Sequence, residues 1–541
     1  MKSSYINFIL FVILLSSVLD GCGRQPGKIK GKGNTAKAWD QTIPGNFSGQ
    51  STAVFDGPAI NRFFKEHPDI IASKDQLQIF YSKRKFAYAW FDAGKLIEQA
   101  GNLYNRVNNL QKDGIYRSIP YREELDSLFT AQGTQKHPDL RLELMLTAQY
   151  FAFSKLAWGG LDSSASTASG WYLPRKKLDY DPYLDSLLKT TVRQFSAEEP
   201  VYRQYELLKG FLRKYRDLDA GDSWLPIRST KLLKPGDVAP VLSQIKTRLF
   251  KLNDFRGDTS GTRYDDSLVA AVKQFQDRHG LTINGQLNRA TMNELNVPLK
   301  SRIRQILVNM ERSRWLPVTL NGNYLAVNIP EFKLHVYHAD SLLWSCNVVV
   351  GQTMHQTTLF YGEIKQVVFS PYWNVPPSIV RNEIIPGIKK DTGYISKHDM
   401  EITGQRDGLP VVRQKPGPEN SLGLVKFLFP NSYDIYLHDT PSKSLFGETS
   451  RAFSHGCIRI MEPVKLANFL LKNSKEWDPE KIDQAMHTGK EQYVNLRNRV
   501  PVFIAYFTAF TDRNHCLNFR KDIYNLDEHL ASMILSGKGV Y

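Results

Sequence analysis

The first long stretch of the chain carries its apolar residues at helical spacing. Across residues 55–218, apolar and aromatic side chains recur at three- and four-residue intervals with few alternating runs, which predicts a helical bundle. Residues 142–158 are apolar on more than one face, so we expect a buried helix that ends at Gly159 and Gly160. The aromatic residues between Phe80 and Phe91 fit either a sugar-binding surface or core packing, and we prefer core packing.

A second, smaller helical pattern follows a turn at residues 233–237. Helices are predicted over residues 240–252 and 265–279, and a third begins near Asn288 after a glycine-containing turn at residues 280–285. These three helices predict a small separate domain.

From Tyr324 onward the pattern changes to short strands. Residues 378–419 interrupt them with mixed character, and an insertion of this length in a β domain is typical of a lid or substrate-shaping element. The β-branched runs predict a compact barrel or sandwich. They lie at residues 325–329, 333–337, 346–350, 366–369, 426–427 and 434–437, followed by a helix at 462–471 and a strand at 502–506. The whole pattern predicts an α+β multidomain chain.

The N-terminus has the pattern of an export signal. Lys2 precedes an apolar run that is too short to span a membrane, and a small residue precedes Cys22. The letters LDGC resemble a lipobox, which implies lipidation of Cys22. Asp20 is not the usual small or apolar residue, so an uncleaved anchor and ordinary secretion stay open. We assign residues 1–22 to the signal and residues 23–54 to a flexible tether.

Composition narrows the class of protein. With 541 residues, 42% of them hydrophobic, the chain should hold about three or four soluble domains. The formal net charge of +16 accompanies no nucleic-acid motif and fits either steering toward anionic polymers or a solvated basic surface. Four cysteines are too few for a disulfide scaffold. We interpret Cys346 and Cys516 as buried free thiols, with a disulfide between them as the alternative.

Candidate chemistry is concentrated near the C-terminus, where Cys457 lies in the sequence SHGCIR. A free thiol is only a few per cent thiolate at neutral pH, so a nucleophilic cysteine needs a base. We predict Cys457 as the nucleophile and His438 as its general base, because a strand, a loop and a second strand return the chain to one place. His455 stands only two positions before the cysteine, and we assign it a supporting role.

Three neighbours complete the predicted site. Gly456 lets the backbone approach a substrate, and its N–H and that of Cys457 are predicted to donate to an oxyanion. Tyr436 shares a strand face with His438, so its hydroxyl is either a third oxyanion donor or a core group. Arg459 shares a face with Cys457, where it would favour the thiolate, hold a substrate carboxylate or form a structural ion pair.

These residues resemble the active site of the L,D-transpeptidases. The segment IYLHDTPSKSLFGETSRAFSHGCIRI matches that motif at His438, Ser454, His455, Gly456, Cys457 and Arg459. Further resemblances are VVVGQTMHQTTLF, YWNVPPSI and RQKPGPENSLGLVKFLFPN, while AVKQFQDRHGLTINGQLNRATMNELN resembles the small three-helix peptidoglycan-binding domain. With the helical N-terminal part, the chain resembles the large Gram-negative form of the family.

The resemblance implies a domain order. Residues 55–232 would form a helical scaffold domain, residues 233–300 the peptidoglycan-binding domain, and residues 301–541 a mainly-β catalytic domain in which 378–419 is the lid. It also implies a periplasmic protein, held at the inner or outer membrane by a lipid on Cys22, with peptidoglycan tetrapeptide stems as partners and no nucleic acid.

The resemblance further implies a reaction. Cys457 would attack the third residue of a tetrapeptide stem, expel the terminal D-alanine, and pass its thioester to an amine of another stem as a 3→3 cross-link. Trp373, Asn374 and Ser454 would contact the substrate. No metal or other cofactor is expected, and carbapenems would acylate the same thiol.

Two alternatives stay open. An L,D-carboxypeptidase would use the same residues and pass the acyl group to water, and a water site leaves no sequence motif. A non-catalytic peptidoglycan-binding lipoprotein would need none of this chemistry. Papain-like hydrolases and sortases fit less well, because the former place cysteine before histidine and the latter separate the two residues much further.

Overall fold

A computed structural model describes residues 53–132, 137–189, 199–221, 223–229, 232–317 and 320–536. The predicted signal, most of the predicted tether and the lipidation site at Cys22 lie outside these ranges. The chain divides into two compact units. Among the described residues, one unit includes 214–300 and 509–519, and the other includes 53–213, 301–508 and 520–536.

Helices dominate the described chain before residue 222. They are α1 (Pro58–Glu66), α2 (Lys74–Lys83), α3 (Glu98–Asn108), α4 (Arg122–Gln132), α5 (Leu140–Ser154), α6 (Ser163–Ala168), α7 (Asp181–Lys189) and α8 (Gln204–Gly221), with the short strands β1 (Phe91–Asp92), β2 (Lys95–Leu96) and β3 (Trp171–Tyr172). Every residue from Leu142 to Ser154 is buried, which confirms the predicted buried helix. The core contains Phe80, Tyr81, Trp90 and Phe91, so core packing is confirmed for these rings.

The three predicted helices of the smaller unit are α9 (Val241–Lys251), α10 (Asp266–Arg278) and α11 (Arg289–Leu295). Gln276 joins α10 to the following turn and to α11, because its side-chain oxygen accepts from the N–H groups of Asn284 and Gly285 while its amide donates to Thr291 Oγ1 at 3.0 Å. Gly285 has φ +68°, and a Cβ there would lie 2.9 Å from Val269. The predicted turn therefore requires this glycine.

The remaining elements, in chain order, are α12 (Leu299–Trp315), β4 (Asn323–Asn328), β5 (Lys333–His338), β6 (Ser341–Gly351), β7 (Leu359–Phe369), β8 (Trp373–Asn374), α13 (Pro377–Ile379), α14 (Ile385–Lys390), α15 (Tyr394–Lys397), β9 (Met400–Arg406), β10 (Leu409–Gln414), β11 (Val425–Leu428), β12 (Leu437–His438), β13 (Ala452–Ser454), β14 (Ile458–Ile460), α16 (Pro463–Leu471), α17 (Pro479–His487), β15 (Gln492–Ala505), β16 (Ala509–Thr511), β17 (Leu517–Phe519) and α18 (Asp527–Leu535). The hairpin β16–β17 belongs to the smaller unit, where Arg278 donates to the Leu517 carbonyl at 3.2 Å. The predicted catalytic segment 301–541 is therefore not one continuous unit.

Strands of the larger unit close into a barrel. Among the described residues the order is β11, β12, β14, β6, β5, β4, β15 and β7, and β7 pairs in turn with β11. Closure leaves no free edge along this ring, which protects the short strands from pairing with other chains. Of the barrel and the sandwich predicted from the strand pattern, the structure has the barrel.

Strand β3 of the helical region extends this sheet. It runs parallel to β7, with Trp171 opposite Leu359 and Tyr172 opposite Phe360. Trp171 is buried against the rings of Trp315 and Phe507, with ring centroids 5.4 and 6.0 Å apart. A buried tryptophan thus anchors the helical region to the barrel.

The insertion folds around a small core of its own. Strands β8, β10 and β9 form a separate sheet. Its core comprises Val375, Ile379, Val380, Ile384, Met400 and Val412, with Trp373 packed against it. The insertion therefore begins a few residues before the predicted start at 378, because Trp373 and Asn374 form its first strand.

The cysteines and apolar helices add two observations. Cys346 is a buried free thiol, as predicted, and is not paired with Cys516; Cys516 is disulfide-bonded, so the prediction of a free thiol is wrong for Cys516. In the described part of the chain, no helix combines the length and apolar character needed to cross a membrane.

Candidate active site

The pairing of β12 with β14 brings the two predicted catalytic segments together. The strands run parallel, with Leu437 opposite Ile458 and His438 opposite Arg459, and the Ile458 N–H donates to the Tyr436 carbonyl at 3.1 Å. Residues opposite each other, and residues two apart, share a sheet face. Tyr436, His438, Cys457 and Arg459 therefore lie on one face. Diagonal neighbours in such a sheet are roughly 7 Å apart at Cβ, within reach of an imidazole.

The tautomer of His438 is set by a hydrogen bond to the backbone carbonyl of the next residue, Asp439. Nδ1 lies 2.5 Å from the carbonyl oxygen of Asp439. Since a carbonyl can only accept, Nδ1 carries the proton, and Nε2 of the neutral ring holds the free lone pair. The ring is buried, with 4% of the residue exposed. Its only basic atom is therefore Nε2.

Burial and two cations keep this imidazole neutral. Desolvation, Arg459 and Lys426 together lower the pKa of His438 to about 3, although the hydrogen bond to Asp439 opposes them. Lys426 lies opposite His438 on β11, so Lys426, His438 and Arg459 form a row across three strands, which we call the cationic row. Sequence reasoning missed Lys426, because its place beside His438 depends on strand pairing.

Asp439 holds the carbonyl that orients His438. Its side chain accepts from the Leu424 N–H at 2.9 Å and pairs with Lys443. Gly423 has φ +60°, and a Cβ there would lie 2.4 Å from the Asp439 carboxyl carbon. A glycine at position 423 is thus required for Asp439 to occupy this position.

The Cys457 sulfur is a protonated thiol at neutral pH. It lies 3.5 Å from the Asp434 carbonyl and receives hydrogen bonds from the backbone and side chain of Tyr436. Burial raises the pKa of Cys457, and this effect exceeds the lowering by Tyr436 and Arg459. A thiol beside a neutral imidazole requires the base to remove its proton as bond formation begins. The Tyr436 hydroxyl contacts the sulfur, and burial raises its pKa above the ordinary value.

Ser454 and Gly456 shape the turn that presents the sulfur. The Ser454 hydroxyl donates to the Cys457 carbonyl at 2.6 Å and accepts from the Gly456 N–H at 3.2 Å. Gly456 has φ +118°, which only glycine adopts readily. Ser454 is buried and occupied within the turn, which differs from the predicted substrate contact. The Gly456 N–H is likewise held by Ser454, which differs from the predicted free oxyanion donor.

Behind this turn lies a hydrogen-bond network that sequence reasoning missed. Thr357 donates through Oγ1 to the Gly456 carbonyl at 2.8 Å and accepts from the Gly351 N–H at 2.9 Å. The Tyr524 hydroxyl donates to the Gly351 carbonyl at 2.6 Å and accepts from the Thr357 N–H at 3.2 Å. We call Thr357 and Tyr524 the turn support. Tyr524 carries no sequence signal, because it lies far from the motif.

His455 points to the insertion. Its Nε2 lies 3.3 Å from Glu383 Oε1, and its ring lies against His355 with centroids 5.0 Å apart. The predicted supporting role therefore takes the form of a contact between the nucleophile turn and the insertion. This contact is about half exposed, so its contribution to stability is small.

The other predicted residues fall in different surroundings. Arg459 has a buried Nε without a hydrogen-bond partner, on the face that it shares with Cys457, and burial lowers its pKa. That N–H is available to a ligand anion. Trp373 packs against the insertion core and Asn374 is exposed beside it, so contact of these two with substrate stays a prediction. Within the described ranges, no group of three or more His, Cys, Asp and Glu side chains could hold a metal ion.

Replacing Thr357 by Val should lower kcat about fivefold with little change in KM, because the Gly456 carbonyl loses its donor and a hydrogen bond of this kind is worth about 1 kcal/mol. Thr357→Ser should restore most of the rate. Thr353→Val, which removes an exposed hydroxyl from the same loop, is the matched control. A Val variant whose kcat falls only with its folded fraction, measured by thermal melting, would contradict the positioning role.

The pH dependence of acylation should lack a step near 6.5. Because the pKa of His438 is lowered to about 3, the base form is already present throughout the range from pH 5 to 8. The check is the rate of acyl-enzyme formation over that range, followed by intact mass. An inflection near 6.5 in the wild type would show that the imidazole keeps its ordinary pKa, and would refute the lowering of that pKa by burial, Arg459 and Lys426.

Comparison with known proteins gives three matched regions. Residues 322–483 match an L,D-transpeptidase catalytic domain, residues 75–212 a scaffold domain, and residues 240–295 a domain described as "Putative peptidoglycan binding domain". A protein of Haemophilus influenzae named "Putative L,D-transpeptidase" is 32% identical over 243 residues, which cover 42% of this chain and 49% of that protein. The match thus spans about half the length of this relative.

Two solved structures with weak likeness are titled L,D-transpeptidases. The enzyme of Xylanimonas cellulosilytica is 14% identical, over 51% of this chain and 99% of that chain, with a TM-score of 0.17. The enzyme of Stackebrandtia nassauensis is 14% identical, over 52% and 97%, with a TM-score of 0.21. The resemblance seen in the sequence motifs is confirmed by the three matched regions. The chain therefore carries an L,D-transpeptidase catalytic domain of that family, joined to a scaffold domain and a peptidoglycan-binding domain.

Proposed function

We propose that this protein forms 3→3 peptidoglycan cross-links through a thioester on Cys457. The observation that carries the proposal is the β12–β14 register, which puts His438 and Cys457 on one sheet face with Nε2 as the only basic atom of the ring. A thiol and a neutral imidazole so placed suit acyl transfer, and the matched catalytic domain supports that reaction class.

In the first step, Nε2 of His438 takes the thiol proton while the sulfur attacks the carbonyl of the third residue of a tetrapeptide stem. The carbonyl electrons move to oxygen and form an oxyanion. The Tyr436 hydroxyl, which contacts the sulfur, is the proposed donor to it. The Cys457 N–H is the second proposed donor.

Collapse of the oxyanion breaks the peptide bond. The carbonyl re-forms, the C–N bond to D-alanine breaks, and the imidazolium gives its proton to the departing amine. The cationic row favours this transfer, because Arg459 and Lys426 disfavour a charged ring and make the imidazolium a strong acid. Released D-alanine leaves a thioester and a neutral His438.

The acceptor amine then attacks the thioester. His438 takes the amine proton and returns it to the departing sulfur, so the cycle ends with the thiol restored. The Arg459 guanidinium is the proposed anchor for a stem carboxylate, supported by its buried and unpartnered Nε. Carbapenems are proposed to acylate the same sulfur, since they present a carbonyl to it.

The insertion is proposed as a lid over the donor stem that excludes water and so favours an amine acceptor. It has a core of its own, and the Glu383–His455 contact connects it to the nucleophile turn. An L,D-carboxypeptidase, in which water accepts the acyl group, is the second candidate. The smaller unit is proposed to bind peptidoglycan, supported by its matched domain. Location in the periplasm and lipid anchoring at Cys22 stay proposals from the N-terminal sequence.

The reaction predicts distinct products from a disaccharide-tetrapeptide. Wild-type enzyme should yield a dimer that lacks one alanine, seen by mass spectrometry, and a covalent adduct on Cys457. Cys457→Ala should lose both, with sacculus binding retained because the smaller unit is untouched. A tripeptide as the main product would instead support the carboxypeptidase, and turnover by Cys457→Ala would refute the nucleophile.

Removing the insertion should shift products toward hydrolysis. Asn374 and Arg413 lie opposite each other on paired strands, so an Asn-Gly turn can join them in place of residues 375–412. Water then reaches the thioester, and the ratio of tripeptide to dimer should rise. Asp407→Asn, an exposed substitution at the β9–β10 turn that keeps the insertion, is the matched control. An unchanged ratio in the shortened protein would contradict the lid.

A further inference from the structure

Two exposed tyrosines lie side by side near the candidate site. Tyr172 is 49% exposed and Tyr433 is 41% exposed, and their ring centroids are 6.1 Å apart with planes tilted by 35°. Tyr433 also contacts the ring of Phe360, which is buried, at 5.2 Å. We call Tyr172 and Tyr433 the tyrosine shelf. Large aromatic faces left open to solvent in this way are typical of binding surfaces.

The loop that carries Tyr433 is held in one conformation. The Asn431 side chain donates to the carbonyls of Phe429 and Ile435 at 2.7 and 2.8 Å and accepts from the Tyr433 N–H at 2.9 Å. Asp434, next in the chain, has φ +54°. One side chain thus fixes the loop, so the ring of Tyr433 is presented with little entropy left to lose.

Tyr172 is held by a different part of the chain. It belongs to β3, which pairs with β7 and is anchored by the buried Trp171. Side chains alternate along a strand, so a buried Trp171 leaves Tyr172 on the open face. The scaffold domain therefore contributes Tyr172 to the shelf. The loop that precedes the predicted general base, His438, contributes Tyr433.

The shelf lies at a distance from Cys457 that a stem peptide can span. The carbonyl of Asp434 is 3.5 Å from the Cys457 sulfur, and Tyr433 is the preceding residue. Given the spacing of consecutive residues and the length of a tyrosine side chain, the shelf is on the order of 10 Å from the sulfur. Three extended residues also span roughly 10 Å. A stem acylated at its third residue would place its attached sugar near the shelf.

We propose that the tyrosine shelf is a carbohydrate subsite that stacks on an amino-sugar ring of the donor glycan strand. The proposal rests on the peptidoglycan donor proposed above. A sugar ring has an apolar face that packs on an aromatic ring and a rim of hydroxyls. Ser432 and Asp434, both exposed on either side of Tyr433, supply polar partners for that rim. The glycan thereby helps to orient the stem toward Cys457.

The test compares two donors with the full-length protein: a disaccharide-tetrapeptide and the same tetrapeptide without sugar. Tyr172→Ala should raise KM for the glycan-bearing donor about three- to tenfold, the size expected for one lost ring face, and leave kcat/KM for the free peptide unchanged. Tyr172→Phe keeps the ring and should behave as wild type. Leu343→Ala, an exposed apolar residue on β6, is the control for surface truncation.

The outcomes separate the subsite from the reaction. If wild-type protein turns over neither donor, the proposed function fails. If wild type is active and Tyr172→Ala lowers kcat/KM for both donors equally, or for neither, the subsite is refuted. Tyr433→Ala serves as a second variant from another segment, and its loss should also be confined to the glycan-bearing donor. Tyr172→Ala is the decisive variant, because Tyr172 lies on β3 and is not part of the loop beside the Cys457 sulfur.

Discussion

The parallel pairing of β12 with β14 is the constraint on which the candidate site depends. It joins two segments that a loop separates in the sequence. It also decides which side chains meet, because a shift of one strand by one residue would turn the side chains of that strand to the other face of the sheet. Barrel closure protects this register, since β12 and β14 each have a neighbour on their other side. Thr357 and Tyr524, the turn support, then fix the turn that carries Cys457 and so the direction of its sulfur relative to the His438 imidazole.

The electrostatics of the site follow from the same pairing. Strands β11, β12 and β14 place two cations on either side of His438, and burial adds to their effect. A ring in such a position resists protonation at rest and releases a proton readily once it has one. Because the Cys457 thiol is neutral and His438 is a weak base, the sulfur has low reactivity until a substrate carbonyl is bound. Chemistry is then coupled to substrate binding, which limits reaction of the thiol with other electrophiles.

Several elements could be predicted from sequence because their signals are local. The buried helix around Leu142–Ser154, the turn at Gly285 and the presence of short strands after Tyr324 follow from periodicity and turn chemistry. Cys457 and His438 were found through their motif. Lys426, Thr357 and Tyr524 were not, since their importance arises from pairing between distant segments. Ser454 and the Gly456 N–H were placed on the substrate side, whereas the turn uses both internally. A motif identifies which residues matter but does not show what each one contacts.

The pairing of β3 with β7 has a consequence for how the chain acquires its structure. These strands are nearly two hundred positions apart, so the contact closes a very long loop, and such contacts form late and slowly. During synthesis, β3 emerges well before its partner exists, and Trp171 must wait exposed or bury itself elsewhere. Trp171 gains its native neighbours only after β7 and Phe507 have been synthesised. A product truncated before Phe507 therefore cannot bury Trp171 in its native surroundings.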